Sequence, residues 1–133
     1  APAAASTLFE FFKDSQTQPQ DYDLILTGDL GVLGSSLLIE LMKSNGYDIS
    51  KNHNDCGKII FDIKRQDVHC GGSGCGCSAS VFCSHILNSV KKGELKRVLF
   101  MATGALMSPM SLQQGNNIPG IAHLVRIVAE GVE

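Results

Sequence analysis

A glycine-rich turn in the middle of the chain does most to restrict what it can fold into. Four glycines lie within residues 71–76, and the segment runs into an apolar helix predicted over 81–90 and a strand predicted over 98–101. A glycine turn that opens a helix can point backbone N–H groups outward, because the first four helical donors have no partner inside the helix. The sequence therefore predicts a loop, helix and strand unit, with the turn as its candidate binding site.

The rest of the chain alternates between the same kinds of element. Apolar spacing predicts helices over 7–13 and 37–43 and strands over 23–27 and within 118–128. We expect Ser35 or Ser36 to cap the second helix, and Pro119 to keep the start of the last segment out of a central strand ladder. Residues 49–57 are polar and predict a loop. Residues 58–62 form a short apolar segment that fits a helix or a strand.

This alternation favours an α/β protein, in which helices pack on a sheet. Ligands of such proteins collect beyond the carboxyl ends of the strands. Two predicted strand ends, 27–29 and 102–104, each contain a threonine and a glycine. We therefore expect these two turns to lie near the glycine-rich turn.

Composition and charge exclude several classes of protein. With 133 residues, 44% of them hydrophobic, the chain is predicted to form one globular unit. The 11 Lys and Arg residues are scattered among 13 Asp and Glu residues, which argues against a nucleic-acid partner. No apolar run approaches the roughly 18 residues that span a bilayer, and the first residues lack a secretion signal, so we expect an intracellular protein. The start without methionine, directly before a helix, suggests a piece of a longer polypeptide.

The five cysteines predict reduced thiols, since their number is odd and no secretion signal precedes them. A metal site is the alternative, because His53 and Cys56, His69 and Cys70, and Cys75 and Cys77 each bring soft ligands close in sequence. Zinc sites, however, usually show C-x-x-C pairs on turns, whereas Cys77 and Cys83 lie in or beside an apolar helix. Packed or pocket-lining thiols are therefore favoured, and no metal site is predicted.

Four strings in order along the chain carry a family resemblance: Thr-Gly-Asp-Leu at 27–30, His-Asn-Asp-Cys-Gly at 53–57, Gly-Gly-Ser-Gly-Cys at 71–75 and Ala-Thr-Gly-Ala-Leu-Met-Ser-Pro at 102–109. They resemble the stage V sporulation protein AD family of the thiolase-like superfamily, and the resemblance covers nearly the whole chain. It implies the C-terminal half of a thiolase-like α/β fold, with a mixed sheet covered by helices. Residues 1–133 would then be a C-terminal domain that completes a layered αβαβα arrangement with a missing N-terminal half.

The same resemblance implies a role in bacterial spore formation. Members of the family bind dipicolinic acid, with or without calcium, for its uptake into the developing spore, and lie peripherally at the inner spore membrane. The implied partners are the N-terminal half of the protein, other stage V sporulation membrane proteins and a second copy in a homodimer. The alternative for this chain is a purely structural subunit of a membrane channel assembly.

The superfamily also allows a test for catalysis, because its condensing enzymes place activating and oxyanion-holding side chains in this half. Gly28 and Cys75 each fall at a position where those enzymes carry His or Asn. Ala102 falls where they carry Cys. The resemblance therefore implies a protein without catalytic residues, which is not an enzyme. A coenzyme A thioester condensing or acyl-transfer enzyme remains the alternative, with His69 or Asp29 as substitute groups.

A flat dicarboxylate needs donors for two carboxylates, and a glycine turn at a helix start supplies them without Lys or Arg. The predicted ligand-binding residues are Gly28, Asp29, His69, Cys70, Gly72, Ser73, Gly74, Cys75, Thr103 and Gly104. Oxygens of Asp29 and Asp55 could complete a calcium shell.

Structural roles remain the alternatives to this site. Asp29 would be a turn residue, Asp55 a cap in a loop, and His69 a buried, hydrogen-bonded side chain. The glycines of the turn would serve only close packing of helix on strand. For His85 and His123, core or interface packing is the favoured prediction.

Overall fold

The computed structural model describes residues 1–102, 108–118 and 120–132. Helices α1 to α6 span Pro2–Ser15, Gly31–Ser44, Cys56–Ile59, Cys75–Val81, Leu87–Lys91 and Pro109–Gln113, and strands β1 to β4 span Leu24–Thr27, His53–Asp55, Arg97–Met101 and Leu124–Val128. A π-helical turn, Phe82–Ile86, joins α4 to α5, so these segments form one continuous helix, here called the α4–α5 helix. None of the helices in the described ranges combines the length and the apolar character that crossing a membrane requires.

The strands form one mixed sheet in the order β2-β1-β3-β4. Strand β1 runs parallel to β2 and β3, whereas β4 is antiparallel to β3. In this register Thr27 lies opposite both Asp55 and Met101. Because parallel strands end at the same edge, the residues directly after β1 and β2 meet there, together with Ala102 after β3. The predicted α/β class with a mixed sheet covered by helices is confirmed.

Helices cover both faces of the sheet because successive strand residues point to opposite sides. Ile25 and Leu99 are fully buried on the face covered by α1 and α2. Leu26 and Val98 are fully buried on the face covered by the α4–α5 helix. These covering helices each bury one stripe of apolar side chains, namely Leu8 and Phe12 in α1, Leu38 and Met42 in α2, and Val81, Ile86 and Val90 in the α4–α5 helix.

Each helix and strand predicted from 7–13 through 98–101 is found, in the predicted order, but the starts of two helices differ. The α4–α5 helix begins at Cys75, within the predicted 71–76 turn, instead of at residue 81. Helix α2 begins at Gly31, so the prediction of a cap at Ser35 or Ser36 is wrong. Ser35 lies buried within this helix. The N–H group of Gly31, at the start of the helix, donates a hydrogen bond to Asp55 of β2.

The predicted loop over 49–57 is wrong in its second half, where β2 and the start of α3 lie. Strand β2 is short, polar and at the sheet edge, so it shows no apolar alternation. The closing strand is confirmed but confined to Leu124–Val128, the part that pairs with β3. Pro119 lies outside the described residues.

Candidate functional site

A fully buried carboxylate, that of Asp55, organises the edge of the sheet where β1, β2 and β3 end. Its Oδ2 accepts hydrogen bonds from the Thr27 hydroxyl (2.6 Å) and the Leu30 N–H (2.9 Å). Its Oδ1 accepts from the N–H groups of Gly31 and Gly57, each at 2.9 Å. One side chain thereby caps the starts of both α2 and α3, since early helical N–H groups lack partners within the helix. Of the two predicted roles for Asp55, the structure shows the cap.

Asp55 is linked through Thr27 to a histidine. The Thr27 oxygen lies 3.1 Å from Nε2 of His53. A carboxylate only accepts, so the Thr27 proton points to Asp55 and the His53 Nε2–H donates to the Thr27 oxygen. Burial lowers the pKa of His53 to about 4, with the positive charge of Lys58 acting in the same direction and Asp55 opposing it. His53 is therefore a neutral imidazole in this network at physiological pH.

Close backbone crossings account for several glycines of the turn and its neighbours. The Gly72 N–H donates to the Gly57 carbonyl oxygen at 2.8 Å, and a Cβ on Gly71 would overlap that same carbonyl. Gly31 has φ of 65°, and a Cβ there would overlap the Cys70 carbonyl oxygen. For Gly71 and Gly72 the packing role named as an alternative is thus observed.

The second half of the turn is different, because it faces open space. A Cβ on Gly74 or Gly76 would meet no atom within 4 Å. The Gly74 N–H donates to Oδ2 of Asp29 at 3.0 Å, which ties the turn to the end of β1. Within the described part of the chain, the N–H groups of Cys75 and Gly76 have no acceptor. The structure therefore brings Asp29, Gly74 and Cys75 together at an exposed surface with free backbone donors.

The backbones that follow β1 and β3 pack so closely that they leave almost no space between the ends of these strands. A Cβ on Gly28 would overlap the carbonyl oxygen of Ala102 and come within 2.8 Å of the Ser78 hydroxyl. A cavity of about 10 Å³ lies beside Gly28, lined also by Ala4, Thr27, Asp29, Leu30, Met101 and Ala122. That volume admits about one water molecule. It cannot hold a planar dicarboxylate.

The remaining predicted site residues are spread around the turn. Cys70 and Ser73 are exposed, and Gly72 lies against Ile60 and Cys77. The His69 side chain is 90% exposed, so the prediction of a buried, hydrogen-bonded His69 is wrong. His85 and His123 are exposed as well, so core packing is wrong for both, whereas packing at an interface stays a prediction. Thr103 and Gly104 lie outside the described residues.

The thiols fall into two groups. Cys56 and Cys77 are buried, and Cys70, Cys75 and Cys83 are exposed. Burial raises the pKa of Cys56 to about 12 and also raises that of Cys77, which keeps both as unreactive thiols. No three His, Cys, Asp or Glu side chains in the described ranges are grouped so that they could hold a metal ion.

Comparison with known proteins gives a consistent result. The family model for stage V sporulation protein AD matches residues 1–128. The chain is 50% identical over 123 residues to stage V sporulation protein AD of Bacillus subtilis (strain 168). That match covers 92% of the chain and 36% of the relative, so the chain spans about a third of the relative's length.

Proposed function

This chain belongs to the stage V sporulation protein AD family, and from that premise we propose that it is the C-terminal half of a thiolase-like protein that binds dipicolinic acid for its uptake into the developing spore. The observation that carries the ligand proposal is the open stretch from Gly74 to Gly76, where backbone donors face free space beside Asp29. The proposed protein binds its ligand and catalyses no reaction.

The shape and charge of this surface suit a carboxylate ligand. The N–H groups of Cys75 and Gly76 begin the continuous α4–α5 helix, whose positive end favours an anion. A calcium ion bound with the ligand would take Asp29 as an oxygen donor, because that carboxylate lies at the same exposed surface. Asp55 is excluded as a calcium ligand, since both of its oxygens already accept two hydrogen bonds from the protein.

Packing at the strand ends supports the non-catalytic part of the proposal. Gly28 and Ala102 lie in contact, and neither carries a side chain that could transfer a proton or hold an oxyanion. Cys75 is exposed at the start of α4, where a neutral thiol is only a weak hydrogen-bond donor.

The proposed partners follow from the family and from the length of its members. The first proposed partner is the N-terminal half of the same protein, and the chain's 36% share of the length of the Bacillus subtilis relative leaves room for it. The other proposed partners are a second copy, in a homodimer, and other stage V sporulation membrane proteins. The proposed location of the protein is the surface of the inner spore membrane. The net charge of −2 offers no attraction for nucleic acid.

The ligand proposal is tested by Gly76→Val in the full-length protein. A Cβ at this exposed position would meet no atom within 4 Å, so the variant should fold normally while its methyl groups block approach to the free N–H groups. We expect calorimetric titration with dipicolinic acid, with and without calcium, to show affinity reduced at least about tenfold, or about 1.4 kcal/mol.

Lys92→Ala is the matched control, because Lys92 is exposed just beyond the far end of the α4–α5 helix. It should bind like the unmodified protein. Unchanged affinity in a folded Gly76→Val protein would move the ligand away from the turn.

Absence of catalysis is tested separately with acetyl and malonyl thioesters in steady-state assays of the full-length protein. We expect no turnover above a heat-inactivated sample, because the groups that would lower the barrier by several kcal/mol are missing at Gly28, Cys75 and Ala102. A clear excess over that sample would restore the condensing or acyl-transfer enzyme as the better description.

A further inference from the structure

A chain of hydrogen bonds connects one histidine to the turn that follows β1. The His53 Nε2–H donates to Thr27, and Thr27 donates to Asp55. The Asp55 carboxylate in turn accepts hydrogen bonds from the N–H groups of Leu30 and Gly31. A side chain on the neighbouring strand is thereby linked, through Thr27 and Asp55, to the backbone of the turn after β1.

The other nitrogen of this imidazole is already in an unfavourable place for a proton. Nδ1 of His53 is shielded from solvent and has no hydrogen-bond partner among the described residues. In the neutral imidazole this nitrogen is an unprotonated acceptor, but protonation would turn it into a buried donor without an acceptor. The charged groups that act on His53 are Lys58 of α3, which disfavours a second positive charge, and Asp55 of its own strand, which favours one. Thr27, the side chain that β1 places against His53, is uncharged.

We propose that His53 acts as an acid-sensitive latch, whose protonation breaks its bond to Thr27 and loosens the turn at residues 28–31. The buried Nδ1 has no acceptor, so a protonated ring can satisfy both of its donors only by moving towards water. That movement removes the donor from Thr27 and leaves the threonine free to rotate away from Asp55. The latch does not depend on dipicolinic acid, although Asp29 lies within the turn that it controls.

The direction of the pH effect follows from the lowered pKa of His53, about 4 in the folded protein against 6.5 for a free histidine. Between these values the opened state binds a proton that the latched state does not, so opening is favoured as the pH falls. The latch is fully closed above about pH 6.5 and is lost progressively from there towards pH 4.

Hydrogen exchange of the full-length protein, followed by mass spectrometry, tests the latch. After correction for intrinsic exchange, protection of the amides of Leu30 and Gly31 should fall about thirtyfold between pH 7.5 and pH 5. His53→Gln should abolish this fall, because the glutamine amide can still donate to Thr27 but does not titrate. Amides in α1 should keep their protection, which separates local loosening from global unfolding.

The control variant is His85→Gln, since His85 is exposed and lies outside the network. It should show the same fall as the unmodified protein. Unchanged protection in the unmodified protein, or the same fall in His53→Gln, would overturn the proposal.

Nitrogen chemical shifts of the imidazole in the unmodified protein give a second test that needs no variant. We expect the proton on Nε2 and none on Nδ1 down to about pH 5, below the ordinary titration range of histidine. A proton on Nδ1 at neutral pH, or titration near pH 6.5, would contradict the latch.

Discussion

Replacing Asp55 with asparagine is expected to lower the free energy of unfolding by about 2 to 4 kcal/mol, because at least one backbone N–H loses its acceptor and the remaining bonds lose the carboxylate charge. Asparagine offers one oxygen and one NH2 group. If the NH2 group faces Thr27 and Leu30, the Thr27 hydroxyl can accept from it and the Leu30 N–H alone loses its acceptor. If it faces Gly31 and Gly57, both of these N–H groups lose their acceptor. The Asp55 carboxylate is fully buried, so water cannot simply replace it as the acceptor. Urea unfolding of the full-length protein measures the effect.

Two further variants, one with a smaller expected effect and one control, test this prediction. Thr27→Val removes one of the four donors to Asp55 and should cost about 1 to 2 kcal/mol. Asp67→Asn is the control, because Asp67 is 95% exposed and should change stability by less than about 0.5 kcal/mol. An Asp55→Asn protein as stable as the Asp67→Asn protein would show that the buried carboxylate does not hold the two helix starts.

Gly28→Ala is expected to destabilise the protein by about 3 kcal/mol or more, because the strand ends have no room for a side chain. The added Cβ would overlap the carbonyl oxygen of Ala102 and crowd the Ser78 hydroxyl. Backbone atoms cannot rotate away as a side chain can, so β1 and β3 would have to separate where Thr27 pairs with Met101. The midpoint of urea unfolding should fall accordingly.

The same substitution at Gly76 is the matched control. A Cβ there meets nothing within 4 Å, and Gly76 lies in the first turn of α4 without a positive φ. Gly76→Ala should therefore be neutral or stabilising by up to about 1 kcal/mol, since alanine favours a helix more than glycine does. Equal effects of the two substitutions would mean that close packing is not what requires glycine at residue 28.

Local patterns were enough to predict most of the elements. The spacing of Leu8, Phe11 and Phe12 predicted the helix that the structure extends to Pro2–Ser15, and apolar runs predicted β1 and β3. These elements are recognisable because each buries side chains at its own regular period, which is written directly in the sequence. The four strings similarly identified the family, which the comparisons confirm.

Strand β2 could not be found in this way, because its three polar residues carry no apolar period. It forms because β1 offers a parallel partner on one side and because Thr27 and the turn after β1 bind its last residue, Asp55. The sequence offered a cap as one role for Asp55 but could not name its partners.

The candidate site also combines features that the sequence predicts with features that only tertiary contacts set. The glycine-rich turn and its position before a helix were determined by the sequence, because clustered glycines and the apolar run that follows them are local features. Tertiary structure decided which glycines pack and which stay open: Gly71 crosses Gly57, whereas Gly74 and Gly76 meet nothing. It also decided that α2 starts at Gly31, whose N–H is held by Asp55, 24 positions further along the chain. Such choices depend on which distant backbone groups fold into contact, and no local pattern encodes them.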